Sequence, residues 1–141
     1  MIDRLQRLAD MAAAVASPEA VATTDYGFTI DTGDSTLTFF APGVDTGVCY
    51  CRAAVGALGE KACPASFAEA ALKGDFFWRA TDGATLSLNT LENAIYLTDR
   101  FDFDAFEDEA AFADYINGFQ RTLYDWQERL AIALDGQEVA K

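Results

Sequence analysis

The chain has 141 residues, with 23 acidic side chains against 10 basic ones and no histidine, which gives a formal net charge of -13. Hydrophobic residues make up 51% of the chain and aromatic residues 13%. This composition excludes a disordered acidic protein and predicts a single folded domain over 1–141, with 135–141 as a disordered tail. Because an anionic surface repels nucleic-acid phosphates and anionic membranes, we expect neutral, basic or apolar partners.

The first residues lack a cationic stretch followed by an uninterrupted apolar run, and no window reaches the roughly 18 apolar residues that span a membrane. We therefore expect no signal peptide, no membrane insertion and a cytoplasmic location. Three cysteines are an odd number, unlike the even sets of secreted disulfide scaffolds, so reduced thiols are expected.

The opening segment is predicted to be a helix because its apolar residues recur at three- and four-residue steps. These residues are Ile2, Leu5, Leu8, Ala9, Ala12 and Val15. Alternating apolar residues then predict strands at 26–31 and 35–40, joined as a hairpin by a turn at 32–34, and a third strand follows at 46–55.

A short Ala-rich helix is predicted at 64–73, with Ser66 and Glu69 as a capping box and Gly74 as its terminator. A second hairpin follows, with strands at 84–89 and 94–99. The clearest helix comes last, with apolar residues in alternating steps of four and three. They are Phe112, Ile116, Phe119, Leu123, Trp126, Leu130 and Ala133. The order helix, three strands, helix, two strands, helix predicts an α+β fold with helices packed on a twisted antiparallel sheet.

The sequence offers little for catalysis or metal binding. Without histidine, Ser-His and Cys-His nucleophile pairs and His-containing zinc sites are excluded. Cys49 and Cys51, with Cys63 as a possible third ligand, are spaced wrongly for a zinc site, and on a strand the first two face one side as small core residues. The acidic run at 102–109 lacks the Gly and distal Glu of a calcium loop and suits a helix start. We predict no catalytic residue, no metal and no cofactor.

Four segments together resemble the class I type III secretion chaperones of the Tir-chaperone family, in order, spacing, size and acidity. They are IDRLQRLADMAAAV, YGFTIDTGDSTLTFF, ASFAEAALKGDFFWRATDGATLSLNTLENAIYL and FADYINGFQRTLYDWQERLAIAL. The resemblance runs from about Ile2 to Leu134 and departs at residues 16 to 25, where the family often has Leu-Pro and this chain has a longer connection.

The resemblance implies a non-enzymatic homodimer that binds the extended N-terminal part of an effector and keeps it soluble and secretion-competent. It implies a dimer interface on the middle helix and following strand, at Phe67, Ala71, Leu72, Phe77, Trp78 and Leu86. It implies effector contacts on the first helix and the sheet, at Leu5, Leu8, Phe28, Leu37, Phe39 and Phe40. The alternative for Leu5, Leu8, Phe28 and Leu37 is that they belong to the core.

The three consecutive aromatics Phe76, Phe77 and Trp78 cannot all face one core, in a helix or in a strand. In the context of this family, we expect Phe76 to face its own core. We expect Phe77 or Trp78 to pack across a two-fold axis against a partner subunit.

Two other classes of function stay open at this point. An acidic mimic or inhibitor would bind a basic partner through its charge, and such binding would collapse at high salt. A small-molecule-binding or enzymatic α+β domain would use the carboxylates or the Cys49 and Cys51 pair, and stoichiometric zinc would support it. The even scatter of acidic residues along the chain favours the chaperone.

Overall fold

The computed structural model describes residues 2–24, 26–41, 47–78 and 81–139. Its helices are α1 (Ile2–Val15), α2 (Ala65–Asp75) and α3 (Glu109–Val139). Its strands are β1 (Val21–Thr23), β2 (Gly27–Asp31), β3 (Thr36–Phe40), β4 (Val48–Ala57), β5 (Thr85–Asn89) and β6 (Ala94–Asp102). Over the described residues these strands form one six-stranded sheet in the order β1-β2-β3-β4-β6-β5, so β1 and β5 are its outer strands. The predicted α+β fold is confirmed.

The chain divides into two compact units, each made of two separate stretches. Unit 1 comprises Met1–Ala53 and Asp99–Asn117, and unit 2 comprises Ala54–Thr98 and Gly118–Lys141. The single domain over 1–141 stays a prediction.

In unit 1, β1, β2 and β3 form an antiparallel meander, and β3 pairs with β4. The turn between β2 and β3 is fixed by Gly33, which has a φ of 91° and donates its N–H to the Asp31 carboxylate at 2.8 Å. Gly27 allows β2 and β3 to approach, because a Cβ there would lie 1.9 Å from the carbonyl oxygen of Phe39. The apolar faces of these strands form the core, where the rings of Phe28 and Phe39 stack at 4.8 Å.

In unit 2, α2 and α3 meet through an edge-to-face contact between Phe67 and Trp126, with ring centroids 5.7 Å apart. Trp126 is fully buried, and the Arg129 guanidinium lies 4.5 Å from the centre of its ring. Asn93, which has a φ of 52°, ties the β5–β6 hairpin to the turn after β4 by donating its side-chain amide to two backbone carbonyls. The periodic aromatic stripe of the last helix is therefore a core stripe, as its spacing indicates.

The structure differs from the predicted elements at three places. It adds β1, which is only three residues long and exists through its pairing with β2. The capping box at Ser66 and Glu69 is wrong, because α2 begins after Pro64 and has no side-chain cap. Gly74 does not end α2: it lies buried in the last turn, and the helix ends at Asp75.

The boundaries of β4 and α3 also differ from the prediction. β4 runs on through Gly56 to Ala57, into the predicted loop, while the predicted strand start at Thr46 lies outside the described residues. α3 continues to Val139, into the segment 135–141 that the sequence predicts to be a tail.

Candidate binding surfaces

Cys49, Cys51 and the half-buried Tyr115 have structural roles. Cys49 and Cys51 are fully buried, and burial raises the pKa of Cys49 to about 12 and raises the pKa of Cys51 as well. The Tyr115 hydroxyl donates to Asp99 Oδ2 at 2.8 Å, and burial is the main reason that the pKa of Tyr115 is raised. Thiols held in this protonated state are poor nucleophiles and poor metal ligands.

Within the described part of the chain, no group of three or more His, Cys, Asp or Glu side chains is placed to hold a metal ion. Over the same residues, no helix is long and apolar enough to cross a membrane.

Unit 1 carries a small cleft of about 110 Å³ between α1 and the first two strands, here called the α1 cleft. Its lining residues are Leu5, Gln6, Ala9, Thr23, Thr24, Gly27 and Phe28. The floor is apolar, because Phe28 and Ala9 are buried there. The rim is polar: Gln6 donates to Asp10 at 2.9 Å, and the Thr24 hydroxyl accepts the N–H of Gly27 at 3.1 Å. The cleft has room for about one medium-sized apolar side chain.

The α1 cleft lies beside the outer strand of the sheet. β1 pairs with β2 along Val21–Thr23 and is the first strand of the sheet order, so among the described residues no strand neighbours its other edge. An outer strand with an apolar cleft beside it suits an extended peptide, which can add main-chain hydrogen bonds to the edge and place a side chain in the cleft.

Unit 2 carries a larger, mostly apolar groove of about 250 Å³ between α2 and the β5–β6 hairpin, here called the α2 groove. Its lining residues are Cys63, Phe67, Ala68, Ala71, Leu72, Asp75, Leu86, Ser87, Leu88 and Ile95. Leu72 is 74% exposed at its rim, whereas Phe67 and Leu86 are buried at its base. Asp75 is its one carboxylate, and burial raises the pKa of that group.

The aromatic triplet forms a turn of 3₁₀ helix directly after α2. Phe76 is 59% exposed, so the expectation that it faces its own core is wrong: α2 runs one residue past Gly74, and the triplet therefore starts outside the helix. Trp78 is also exposed, has a φ of 55° and donates its indole N–H to the Thr85 hydroxyl at 3.2 Å. The side chain of Phe77 lies outside the described part of the structure.

The structure brings most of the predicted dimer residues together and separates the predicted effector residues. Of the six dimer residues, the α2 groove brings together Phe67, Ala71, Leu72 and Leu86. Trp78, in the 3₁₀ turn after α2, does not line the groove but hydrogen-bonds to Thr85 of β5. Their role in dimerisation stays a prediction.

Of the six predicted effector residues, the α1 cleft brings together Leu5 and Phe28. Leu8, Leu37 and Phe39 are completely buried, so in this conformation they form core and offer no surface to a partner. Phe40 points to the opposite face of β3, where it stacks on Tyr50 at 5.5 Å under the Arg52 guanidinium.

Sequence reasoning missed the contribution of Thr23 and Thr24 to the α1 cleft and that of Cys63 and Ile95 to the α2 groove. Val21–Thr23 is β-branched at both ends, which is a weak strand signal, but three residues are too few to show alternation. Nothing in the sequence indicates that Cys63 lies opposite β5.

The described residues form an α+β fold with an apolar surface recess beside α1 and another beside α2. The profile of the Tir chaperone protein (CesT) family matches residues 16–127. The chain belongs to this family, and the family resemblance of its sequence is confirmed. Membership of a chaperone family makes it a binding protein and not an enzyme.

Solved structures of type III secretion chaperones share the fold. The HopA1–SchA chaperone–effector complex matches with a TM-score of 0.64 at 14% identity, covering 91% of this chain and 98% of that one. The ExsC–ExsE complex matches with a TM-score of 0.61 at 12% identity, covering 89% and 94%. The heterodimeric ExoU–SpcU complex from the type III secretion system of Pseudomonas aeruginosa matches with a TM-score of 0.59 at 12% identity, covering 85% and 94%. No curated protein sequence matches the chain.

Proposed function

We propose that this protein is a cytoplasmic type III secretion chaperone that acts as a homodimer, binds the extended N-terminal segment of an effector protein and keeps it soluble and secretion-competent, without a cofactor. The observation that carries the proposal is the α1 cleft beside the outer strand β1. Membership of the Tir chaperone family and the likeness to chaperone–effector complexes support it.

The effector segment would be held by two kinds of contact. Its backbone would hydrogen-bond to the outer edge of β1, and one apolar side chain would enter the α1 cleft between Leu5 and Phe28. Main-chain bonds tolerate many sequences, so the cleft would supply the selectivity. The net charge of -13 would keep the chaperone in solution despite its apolar recesses.

The homodimer would form over the α2 groove. Leu72, Phe76, Trp78 and Leu88 are exposed large apolar side chains on or close to the two elements that build the groove, a density that a monomer seldom presents to water. A second copy that covered them would remove this apolar area from water, which is the main driving force of stable association.

Light scattering on the purified chain tests the dimer, which predicts twice the chain mass. Leu72→Asp should give monomer, because it places a charge at the apolar rim of the α2 groove, within the proposed interface. Ile132→Asp is the matched control: Ile132 is 64% exposed on α3 and does not line the groove, so this variant should keep the dimer mass. A wild-type monomer at micromolar concentration would contradict the dimer.

Alkylation of Cys63 provides an independent test of the dimer, because this residue lines the α2 groove. If a second copy covers the groove, the rate of alkylation of Cys63 should fall as the chain concentration rises, and Leu72→Asp should remove that dependence. A rate independent of concentration would place the interface elsewhere.

Effector binding is tested by identifying a captured protein by mass spectrometry, then titrating its N-terminal segment against the chaperone. Leu5→Glu should weaken binding at least tenfold, because it puts a charge in the α1 cleft. Ala14→Glu, an exposed position on the same helix, is the control and should bind as wild type does. Binding should persist at high salt; binding that collapses there would instead support the acidic mimic.

A further inference from the structure

One point on the outer edge of β5 is occupied by a side chain of α2. Asp75 Oδ1 accepts the backbone N–H of Leu86 at 3.0 Å. On its inner side β5 pairs with β6, and Leu86 stands opposite Leu97. Because Leu86 donates its N–H to Asp75, Leu86 and Leu97 form a non-hydrogen-bonded pair, and the backbone N–H of Leu86 points away from β6. Orientation alternates along an antiparallel strand, so the N–H of Leu88 also points away from β6. The carboxylate of Asp75 therefore accepts the first of the two backbone N–H groups of β5, those of Leu86 and Leu88, that point away from β6.

The same end of α2 holds β5 at the neighbouring residue. The Trp78 indole N–H donates to the hydroxyl of Thr85, so two consecutive residues of the strand are tied to the end of α2 and the turn that follows it. Charged side chains aimed at an outer strand are a known means of preventing edge-to-edge pairing.

A strand that added to β5 would have to displace this contact. It would exchange a hydrogen bond to a carboxylate for one to a neutral carbonyl, and it would place its own carbonyl oxygens against the carboxylate of Asp75. β5 itself alternates polar and apolar residues over Thr85–Asn89, a pattern well suited to pairing with another copy of the same strand. The strand most able to pair with the outer edge of β5 is therefore β5 of a second copy.

We propose that Asp75 is a gatekeeper that closes the outer edge of β5 to strand addition. The α2 groove then takes the apolar side chains of a second copy, while extended effector segments add at β1. The identity of these two partners rests on the proposed function, whereas the protection of the β5 edge concerns the chain alone.

Three variants, studied without any effector, test the gate. In Asp75→Ala the amide of Leu86 should exchange with solvent about tenfold faster or more, and light scattering should show assemblies heavier than the wild type that grow with chain concentration. Asp75→Asn keeps an acceptor oxygen but removes the charge, so its Leu86 exchange rate and its mass should fall between those of the wild type and those of Asp75→Ala. Glu69→Ala removes an exposed acid of the same helix, paired with Lys73 at 3.0 Å, and should retain the wild-type mass.

An Asp75→Ala chain with the wild-type mass at every concentration and an unchanged Leu86 exchange rate would overturn the proposal. If Asp75→Ala does not fold, hydrogen exchange of the wild-type chain provides the test. Slow exchange of the Leu86 amide supports the role of Asp75, and exchange as fast as in an unfolded peptide overturns it. Failure to bind any effector would contradict the proposed function, but it would not affect the exchange and mass measurements that test Asp75.

Discussion

Replacing Phe39 by alanine should distinguish a core role for this residue from a role in effector binding. The ring of Phe39 is completely buried and stacks on Phe28 with an angle of 7° between the ring planes. It also makes edge-to-face contacts with Phe112, at a centroid distance of 5.6 Å, and with Phe101, at 6.3 Å. Removing it empties the centre of an aromatic cluster that rigid rings cannot easily refill.

The expected loss follows from this packing. Truncating a buried phenylalanine to alanine costs about 3–5 kcal/mol of unfolding free energy, and the three aromatic partners place Phe39 towards the upper end. A domain has about 5–15 kcal/mol in total, so Phe39→Ala should remove a large share of it. Phe40→Ala is the matched control, because Phe40 is the next residue on the opposite face of β3 and is half-buried. It loses one stacked ring and one cation–π contact, worth about 1–2 kcal/mol.

Urea unfolding followed by far-UV circular dichroism, at one chain concentration for all variants, measures both losses. Equal losses of stability in Phe39→Ala and Phe40→Ala, or a loss of less than about 1 kcal/mol in Phe39→Ala, would contradict a core role for Phe39. A stable Phe39→Ala chain with weakened effector binding would restore Phe39 as an effector contact.

Three further outcomes follow from single sites. Iodoacetamide should alkylate Cys63 in the folded chain and leave Cys49 and Cys51 unmodified until urea unfolds it, as mass spectrometry will show; alkylation of all three at one rate would contradict the burial. Gly27→Ala should destabilise the chain by several kcal/mol, because the new methyl group meets a backbone carbonyl of β3; a thermal midpoint within about 2 °C of wild type would contradict this. Asp75→Asn should gain stability relative to wild type as pH rises towards 7, since burial raises the pKa of Asp75 in the folded chain and its ionised form therefore costs stability as pH rises through that pKa. The gain over wild type should shrink as pH falls towards 3.8, and a gain that grows instead would reverse the sign of the shift.

The α1 cleft and the α2 groove show which features of a binding surface a sequence pattern can predict. The middle helix and following strand were predicted to share a partner surface, and the α2 groove does bring Phe67, Leu72 and Leu86 together. On the first helix and sheet, the same kind of apolar pattern holds Leu8 and Phe39 in the core instead. Periodicity marks a side chain as apolar and assigns it to a face, but it does not reveal what covers that face.

Local patterns in the sequence predict most of the elements and the family of this protein. Steps of 3.6 and 2 residues are local properties, so they locate the three α-helices and five of the six strands that the described residues form, and the order of these elements indicates the family. The edges of the sheet follow only from the folded chain. Val21–Thr23 becomes a strand because β2 offers it a partner, and Asp75 reaches Leu86 across a turn that no local pattern describes. Hydrogen bonds between residues distant in sequence depend on where the whole chain places them, and here they make Val21–Thr23 an outer strand and bring the carboxylate of Asp75 to the backbone of β5.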